Sequence, residues 1–185
     1  MSGSIARIAA GGLLIGVVTT GLGCSSKVRN PPQDRFWRNL TQLCGGEFVG
    51  RVVADSTDSE TFREKTLRLR VGPCDGGRIE MPLLVDGRPW VVLTLTRVDG
   101  QLMLKHDHTP GSPAPSGYGG QTKGQGVEGT QEFFADGFTV GLDADAADTV
   151  WTIEVRPGSM LSYSLRRVDT PRTFRAVFDL SRLVE

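Results

Sequence analysis

The chain has 185 residues and carries 21 basic and 21 acidic side chains, so its formal net charge is zero. That balance argues against a nucleic-acid partner, because nucleic-acid-binding domains carry a basic patch or stripe. The arginines mostly alternate with apolar residues, which predicts a solvated face instead. The length fits one domain with a sizeable core.

The first 24 residues have the pattern of an export signal. Arg7 is followed by an uncharged apolar stretch from Ile8 to Val18 and then by Gly21-Leu22-Gly23-Cys24. A signal peptide has an apolar region of roughly 7–15 residues, whereas a transmembrane helix needs roughly 20. The segment therefore predicts export rather than a permanent membrane span.

The sequence around Cys24 resembles a bacterial lipoprotein signal. The resemblance implies that residues 1–23 are removed as a signal peptide and that Cys24 is lipidated. It also implies an exported protein of the bacterial cell envelope, attached to a membrane through its N-terminal lipid, in the outer membrane or periplasm if the host has two membranes. Residues 24–30 would then be a lipidated tether, and residues 31–185 a single folded domain.

The cysteine count agrees with this interpretation. With Cys24 assigned to lipid, Cys44 and Cys74 remain as a pair. In an oxidising compartment such a pair is expected to form a disulfide, and closing a loop of about 30 residues would stabilise the fold by roughly 3–4 kcal/mol. Two buried free thiols are the alternative.

One helix is predicted at the start of the folded domain. Residues 30–33, Asn-Pro-Pro-Gln, are typical of a helix N-terminus, with Asn as the cap and proline in the first turn. Phe36, Leu40 and Leu43 recur at helical spacing, and Gly45-Gly46 ends the pattern. We expect an amphipathic helix of about three turns that caps or plugs one end of the following β structure.

The chain after Glu47 alternates between apolar and polar side chains with a period of two. The clearest runs are 66–71, 150–156, 161–166 and 174–180. Asp86-Gly87 and Asp99-Gly100 lie between such runs and predict tight hairpins, as does Pro157-Gly158. Nine or ten short strands joined mainly by hairpins predict an all-β fold, an antiparallel up-and-down β-barrel. A Greek-key sandwich is less favoured because it needs a long crossover.

The opening strand carries a resemblance to a known group. Gly46-Glu47-Phe48-Val49-Gly50 follows the predicted helix and resembles the Gly-x-Trp-x-Gly opening of lipocalins and other calycins, with Phe48 in the place of Trp. The resemblance implies a lipocalin-like barrel in which Arg175, on the last strand, packs over Phe48. The chain also contains Phe-Trp at 36–37, Leu-Cys-Gly at 43–45, Lys-His-Asp-His at 105–108 and Gly-Tyr-Gly-Gly at 117–120. In this combination it resembles bacterial lipoproteins of an uncharacterised secreted family, which implies no activity.

The most chemically suggestive residues are His106 and His108. On a strand they share the side of Leu102 and Leu104, so both are predicted to point inward. Two imidazoles at this spacing can converge on one transition-metal ion, given a further ligand. Downstream carboxylates are Glu128, Glu132 and Asp136. The alternative is that the pair hydrogen-bonds to buried backbone or to Tyr118 at the barrel rim; a ligand contact and acid–base chemistry are also open.

Two segments lack an obvious strand pattern. Residues 109–126 are rich in Gly, Pro, Ser, Thr and Gln, which predicts either a lid over the open barrel end, contacting the histidines through Tyr118, or a mobile connection. The acidic run 143–148 lacks the glycine and the third alternate ligand of an EF-hand, so a solvated turn is expected rather than a calcium site.

No catalytic motif of recognised spacing occurs, which disfavours a nucleophile-dependent enzyme. The predicted function is binding of a small molecule or an envelope partner by an exported barrel. The candidate ligand-binding residues are His106, His108, Tyr118, Trp90, Trp151 and Tyr163, with Phe174 and Phe178 as further liners. The alternatives are a metal- or histidine-dependent enzyme centred on His106 and His108, and a structural envelope lipoprotein with no interior ligand. The sequence requires no cofactor.

Overall fold

The structure is a computed structural model that describes residues 31–112, 114–124 and 126–183. The predicted signal peptide, Cys24 and the tether lie outside these residues. No helix in the described part of the chain is long and apolar enough to cross a bilayer. The helices are α1 (Pro31–Thr41), α2 (Gly137–Leu142) and a 3-10 helix (Ala144–Asp148). The strands are β1 (Glu47–Asp55), β2 (Leu67–Arg70), β3 (Cys74–Asp75), β4 (Arg78–Val85), β5 (Arg88–Val98), β6 (Gln101–His108), β7 (Tyr118–Gln121), β8 (Thr130–Ala135), β9 (Thr149–Arg156), β10 (Met160–Arg167) and β11 (Thr173–Asp179).

Ten of these strands form a closed antiparallel barrel. Strands β4 to β11 pair with their neighbours in chain order, β11 pairs with β1, and β1 pairs with β2. The pairing of β2 with β4 closes the ring. The short β3 pairs with the start of β4 and is not one of the ten. The predicted antiparallel up-and-down barrel with one preceding helix is confirmed.

The interior of the barrel is filled by the apolar members of the alternating runs. In β2, Leu67 and Leu69 are fully buried, whereas Arg68 and Arg70 point outward and pair with Glu47. Burial of each such leucine stabilises the fold by about 1.5–3 kcal/mol. The largest fully buried side chains are Trp151, Phe36, Phe133, Phe178, Leu40, Leu67, Leu69, Ile79, Met81, Leu83, Leu93 and Leu95.

Two tight turns connect the central strands where the sequence predicts them. Asp86 and Gly87 have φ values of 48° and 77°, and Asp99 and Gly100 have φ values of 49° and 80°. Two successive residues with positive φ are what a two-residue hairpin needs to follow the right-handed twist of its strands. These turns therefore fix β4, β5 and β6 as neighbours in sequential register.

Helix α1 covers one end of the barrel, which we call the closed end. Phe36 and Leu40 are fully buried, and the Gln33 Nε2 atom donates hydrogen bonds to Thr122 Oγ1 and to the Gly124 carbonyl oxygen, each at 2.9 Å. A disulfide between Cys44 and Cys74 joins the segment after the helix to β3. The predicted capping helix and the predicted disulfide are both present. The opposite end, where β1 and β6 finish and β11 begins, is the open end.

Part of the segment 109–126 is regular structure. Tyr118–Gln121 forms β7, which pairs with both β6 and β8, so the expectation of a lid or a mobile connection is wrong for these residues. The neighbouring strands come so close that a Cβ atom on Gly119 would collide with the Leu104 carbonyl group, and one on Gly120 with the Phe134 carbonyl group. Glycine is therefore required here by backbone contact.

Helix α2 and the 3-10 helix were not predicted. The Asp136 side chain caps α2 by accepting a hydrogen bond from the Thr139 backbone N–H at 2.9 Å. In the same way, Asp143 accepts from the Asp145 backbone N–H at the start of the 3-10 helix. The acidic run is therefore a short helix with its own cap rather than a turn.

The expected contact between Arg175 and Phe48 is wrong. Arg175 precedes the inward-facing Ala176, so its side chain lies on the outer surface, where its Nη2 atom donates to Glu154 Oε2 at 3.0 Å and Ser162 Oγ at 3.3 Å. Phe48 is buried in the core on the other face of the sheet. Strand alternation alone places the two side chains apart.

Candidate functional site: the open-end cleft

A cleft of about 290 Å³ lies at the open end of the barrel. We call it the open-end cleft and define it by its lining side chains. Its aromatic lining is Phe62, Trp90, Tyr118, Tyr163 and Phe174, and its principal polar lining is Asp55, Ser59, His108 and Arg172. These residues come from β1 and the chain that follows it, from β5 to β7, and from β10, β11 and the connection between them, so closure of the barrel is what assembles the cleft.

Phe62 contacts aromatic rings on both sides of the cleft. Its ring centroid lies 4.9 Å from that of Trp90 in an edge-to-face arrangement and 5.0 Å from that of Phe174. Trp90 in turn meets His108 edge-on at 5.1 Å. Such pairs stabilise by about 0.5–1.5 kcal/mol beyond area burial. The aromatic lining is therefore held in place before any ligand arrives.

His106 lies below the cleft, and its side chain is 1% exposed. Its Nδ1 atom is 3.2 Å from the Tyr118 carbonyl oxygen, and its Nε2 atom is 2.8 Å from the Tyr163 hydroxyl. A carbonyl oxygen only accepts, so Nδ1 carries the proton and Nε2 accepts from the Tyr163 O–H. Burial lowers the pKa of His106 to about 3, aided by nearby His108 and Lys105 and opposed by the Tyr118 carbonyl bond. The imidazole is therefore neutral.

His108 repeats this arrangement at the surface of the cleft. Its Nδ1 atom donates to the Trp90 carbonyl oxygen at 3.2 Å, and its Nε2 atom accepts from the Tyr118 hydroxyl at 3.1 Å. Burial lowers the pKa of His108, and it raises the pKa of Tyr118 to about 12. The pKa of Tyr163 is also raised by burial. Both phenols therefore remain protonated hydrogen-bond donors at neutral pH.

The structure brings the two histidines together with tyrosines rather than with carboxylates. Each of the downstream carboxylates has its own basic partner: Glu128 pairs with Arg35, Glu132 with Arg166, and Asp136 with Lys105. Among residues 31–112, 114–124 and 126–183, no group of three His, Cys, Asp or Glu side chains could hold a metal ion. The observed arrangement is the hydrogen-bonded alternative that the sequence left open.

The six candidate ligand-binding residues fall into two layers. Trp90, His108, Tyr118 and Tyr163 line the open-end cleft, whereas His106 and Trp151 lie beneath it and are 1% and 2% exposed. Of the two further candidates, Phe174 lines the cleft and Phe178 is fully buried in the core. The residues of the upper layer can therefore contact a ligand directly, whereas those of the lower layer can only support the upper layer from below.

Two residues of the open-end cleft, Phe62 and Arg172, were not predicted from the sequence. Phe62 follows β1 in a segment of turns, and Arg172 lies between β10 and β11, so neither belongs to an alternating run. The only local signal for Phe62 was an isolated aromatic residue within a polar segment. Arg172 had no distinguishing signal among the 17 arginines that the chain contains.

The two charged residues of the cleft differ in how they are engaged. The Asp55 carboxylate accepts hydrogen bonds from Thr57 N at 2.9 Å, Thr57 Oγ1 at 2.6 Å and Ser59 N at 3.1 Å. Burial raises the pKa of Asp55, but these bonds and the Arg172 charge outweigh burial, and the net effect is a lowered pKa. Arg172 is exposed and forms no ion pair within the described residues.

Comparison with known proteins adds no assignment. No model of a known protein family matches the sequence, and no curated protein matches it. Function is therefore inferred from the barrel and the open-end cleft.

Proposed function

We propose that this protein binds a small ring-containing molecule in the open-end cleft. The observation that carries the proposal is the set of five aromatic side chains around a volume of about 290 Å³. An apolar cavity of about 150 Å³ can hold benzene, and pockets for larger ligands begin at about 300 Å³. The cleft therefore suits a molecule of one or two rings.

Binding fits the site better than turnover does. Both imidazoles use Nδ1 as a donor to a carbonyl oxygen and Nε2 as an acceptor from a phenol. A general base needs a lone pair within reach of the substrate proton, and here each lone pair already accepts a hydrogen bond. The histidine–tyrosine pairs therefore act as rigid supports for the cleft wall.

We also propose that the protein is exported and attached to the bacterial cell envelope through Cys24. The apolar leader and the cysteine support it, and the Cys44–Cys74 disulfide agrees with an oxidising compartment. Helix α1 covers the closed end, so a seven-residue tether, with a reach of about 25 Å, would hold that end toward the membrane. The open-end cleft would then face away from the membrane, where solutes reach it.

The localisation test is mass spectrometry of the protein purified from its own source. We expect Cys24 as the first residue with an attached lipid, and we expect Cys24→Ser to remain unlipidated in otherwise identical cells. Recovery of the wild-type chain with an unmodified Cys24 would overturn the lipid anchor. Native spectra of the same sample would also reveal a co-purifying ligand.

The binding test is a calorimetric titration with phenol, indole and 2-naphthamide. We expect saturable one-to-one binding of at least one probe, weakened at least tenfold by Trp90→Ala because the variant removes one aromatic wall. Trp37→Ala is the matched control, since Trp37 lies on α1, where Arg97 stacks at 4.8 Å from its ring. Absence of saturable binding, or equal weakening by the two variants, would contradict the proposal.

A further inference from the structure

Some polar groups of the open-end cleft already form hydrogen bonds within the protein, and others have hydrogens left to donate. The Tyr118 and Tyr163 hydroxyls donate to imidazole nitrogens. Both oxygens of the Asp55 carboxylate accept hydrogen bonds from the backbone or side chains of residues 57 and 59. The groups left with free hydrogens, within the part of the chain that the structure describes, include the Arg172 guanidinium and the Ser59 hydroxyl. The open polar capacity of the cleft is therefore mainly donor capacity.

Arg172 also differs from the arginines nearest to it in sequence. Arg166 pairs with Glu132, Arg167 with Asp143, and Arg175 with Glu154. Arg172 lines the cleft yet forms no such pair in the described residues, even with Asp55, which lines the same cleft. The Asp55 carboxylate is instead held by its own loop. A guanidinium that has no ion pair among the described residues and lies beside an aromatic wall suits a ligand that carries both a ring and an anion.

We propose that the ligand is a small aromatic carboxylate, whose ring packs among Phe62, Trp90 and Phe174 and whose carboxylate binds the Arg172 guanidinium. This inference rests on the proposed function of the cleft. The planar fork of an arginine matches a carboxylate with two parallel N–H···O bonds, which fixes orientation as well as charge. The Ser59 hydroxyl supplies a further donor at the same wall. Arg172 is thus the specificity-determining residue of the cleft.

The expected preference is moderate because Arg172 is exposed. A hydrogen bond to a charged group contributes enough for a tenfold or larger change in affinity when shielded, and solvent and salt reduce that contribution. We expect 2-naphthoate to bind the wild-type protein about tenfold more tightly than the neutral 2-naphthamide at low ionic strength. Added salt should narrow the difference, while the affinity for 2-naphthamide stays nearly constant.

The deciding experiment compares three probes that share the naphthalene ring and differ in charge: 2-naphthoate, 2-naphthamide and 2-naphthylmethylammonium. Calorimetry is performed on the wild-type protein, on Arg172→Gln and on the matched control Arg51→Gln, whose exposed side chain lies on the outer wall in β1. Arg172→Gln should abolish the preference for 2-naphthoate and leave binding of 2-naphthamide unchanged. Arg51→Gln should keep the full preference.

The other outcomes show whether the carboxylate assignment fails alone or together with the proposed function. Equal binding of 2-naphthoate and 2-naphthamide, both weakened by Trp90→Ala, would overturn the carboxylate assignment and leave the cleft as a binding site. Tightest binding of the ammonium probe would overturn it in favour of Asp55 as the charged contact. Loss of the preference in both arginine variants would show a general charge effect and would also overturn it. Binding of no probe would overturn the inference and the proposed function together.

Discussion

Acidification to pH 5 should destabilise this protein through His106. The side chain is 1% exposed and packs against Tyr118, Trp151 and Tyr163, with His108 and Lys105 as the nearby basic groups. No carboxylate is among its hydrogen-bond partners, and the one contact that favours an imidazolium, the Tyr118 carbonyl oxygen, is outweighed by burial. Burial accordingly lowers the pKa of His106 to about 3, from an ordinary value of 6.5.

Proton linkage gives the sign and the size of this change in stability. Between pH 6.5 and about 3, the unfolded chain binds a proton at His106 that the folded protein does not bind. The free energy of unfolding therefore increases with pH in this window and decreases as the pH falls through it. Above the window His106 contributes no pH dependence. Each pH unit corresponds to about 1.4 kcal/mol, so lowering the pH from 7 to 5 should remove about 2 kcal/mol.

The assay is urea denaturation followed by tryptophan fluorescence at pH 7 and pH 5. His106→Gln keeps an acceptor for the Tyr163 hydroxyl but cannot titrate, so its pH-dependent loss should be about 2 kcal/mol smaller than that of the wild type. His108→Gln is the matched control, because burial also lowers the pKa of His108. This variant should retain the decrease in the free energy of unfolding that arises from His106. Most carboxylates titrate below pH 5 and affect all three proteins alike.

Equal pH-dependent losses in the wild type and His106→Gln would show that His106 is not the source of the acid sensitivity. Should the variant fail to fold, the wild-type imidazole can be followed directly by nuclear magnetic resonance. We expect the His106 ring signals to show a proton on Nδ1 and to remain unchanged from pH 7 to pH 5. A titration of His106 near pH 6.5 would contradict the buried, neutral assignment.

Two further predictions concern the barrel. Replacing Cys44 and Cys74 together by serine should lower the free energy of unfolding by about 3–4 kcal/mol, because the unfolded chain regains the freedom of a loop whose ends are 30 residues apart; denaturation in urea, with and without reductant for the wild type, measures it. Gly50→Ala should lower the free energy of unfolding by about 1–3 kcal/mol, since its Cβ would collide with the Phe178 ring. Gly141→Ala is the matched control, because open space surrounds the new methyl group, and it should be neutral or slightly stabilising. Thermal melts of the two variants and the wild type measure both effects. An unchanged melting temperature in Gly50→Ala would contradict the close packing of β1 against β11.

The strands of the barrel can be predicted from the sequence wherever alternating apolar and polar side chains distinguish the buried face from the exposed face. In β10, Leu161 and Tyr163 point into the core, and they lie opposite Val155 and Ile153 of β9. The two neighbouring runs therefore share one buried face. Apolar residues at every second position carry this information directly. These strands are therefore readable without any knowledge of their partners.

Strand β7 could not be read in the same way. Gly119 and Gly120 have no side chains, so alternation is absent where the backbone contacts are closest. The two glycines together with flanking polar residues have the composition of a loop. The strand exists because β6 and β8 each supply a hydrogen-bonding edge, which is information from distant parts of the chain.

The candidate site was only half predictable for a related reason. Trp90 and His108 stand out because they lie in runs bounded by predicted hairpin turns, and Tyr118 stands out because it is the only aromatic residue in the segment 109–126. Phe62 and Arg172 come from connections, and they meet the others only when β1 pairs with β11 and β2 with β4. No local pattern encodes that closure, so neither residue could be placed at the cleft beforehand.

Amide chemical-shift mapping during a titration with 2-naphthoate tests the open-end cleft most directly. We expect saturable shifts confined to residues 55–62, 90, 108–112, 114–118 and 163–174, with residues 36–46 at the closed end unaffected. Shifts that centre on the closed end, or that spread evenly over the barrel, would contradict this expectation.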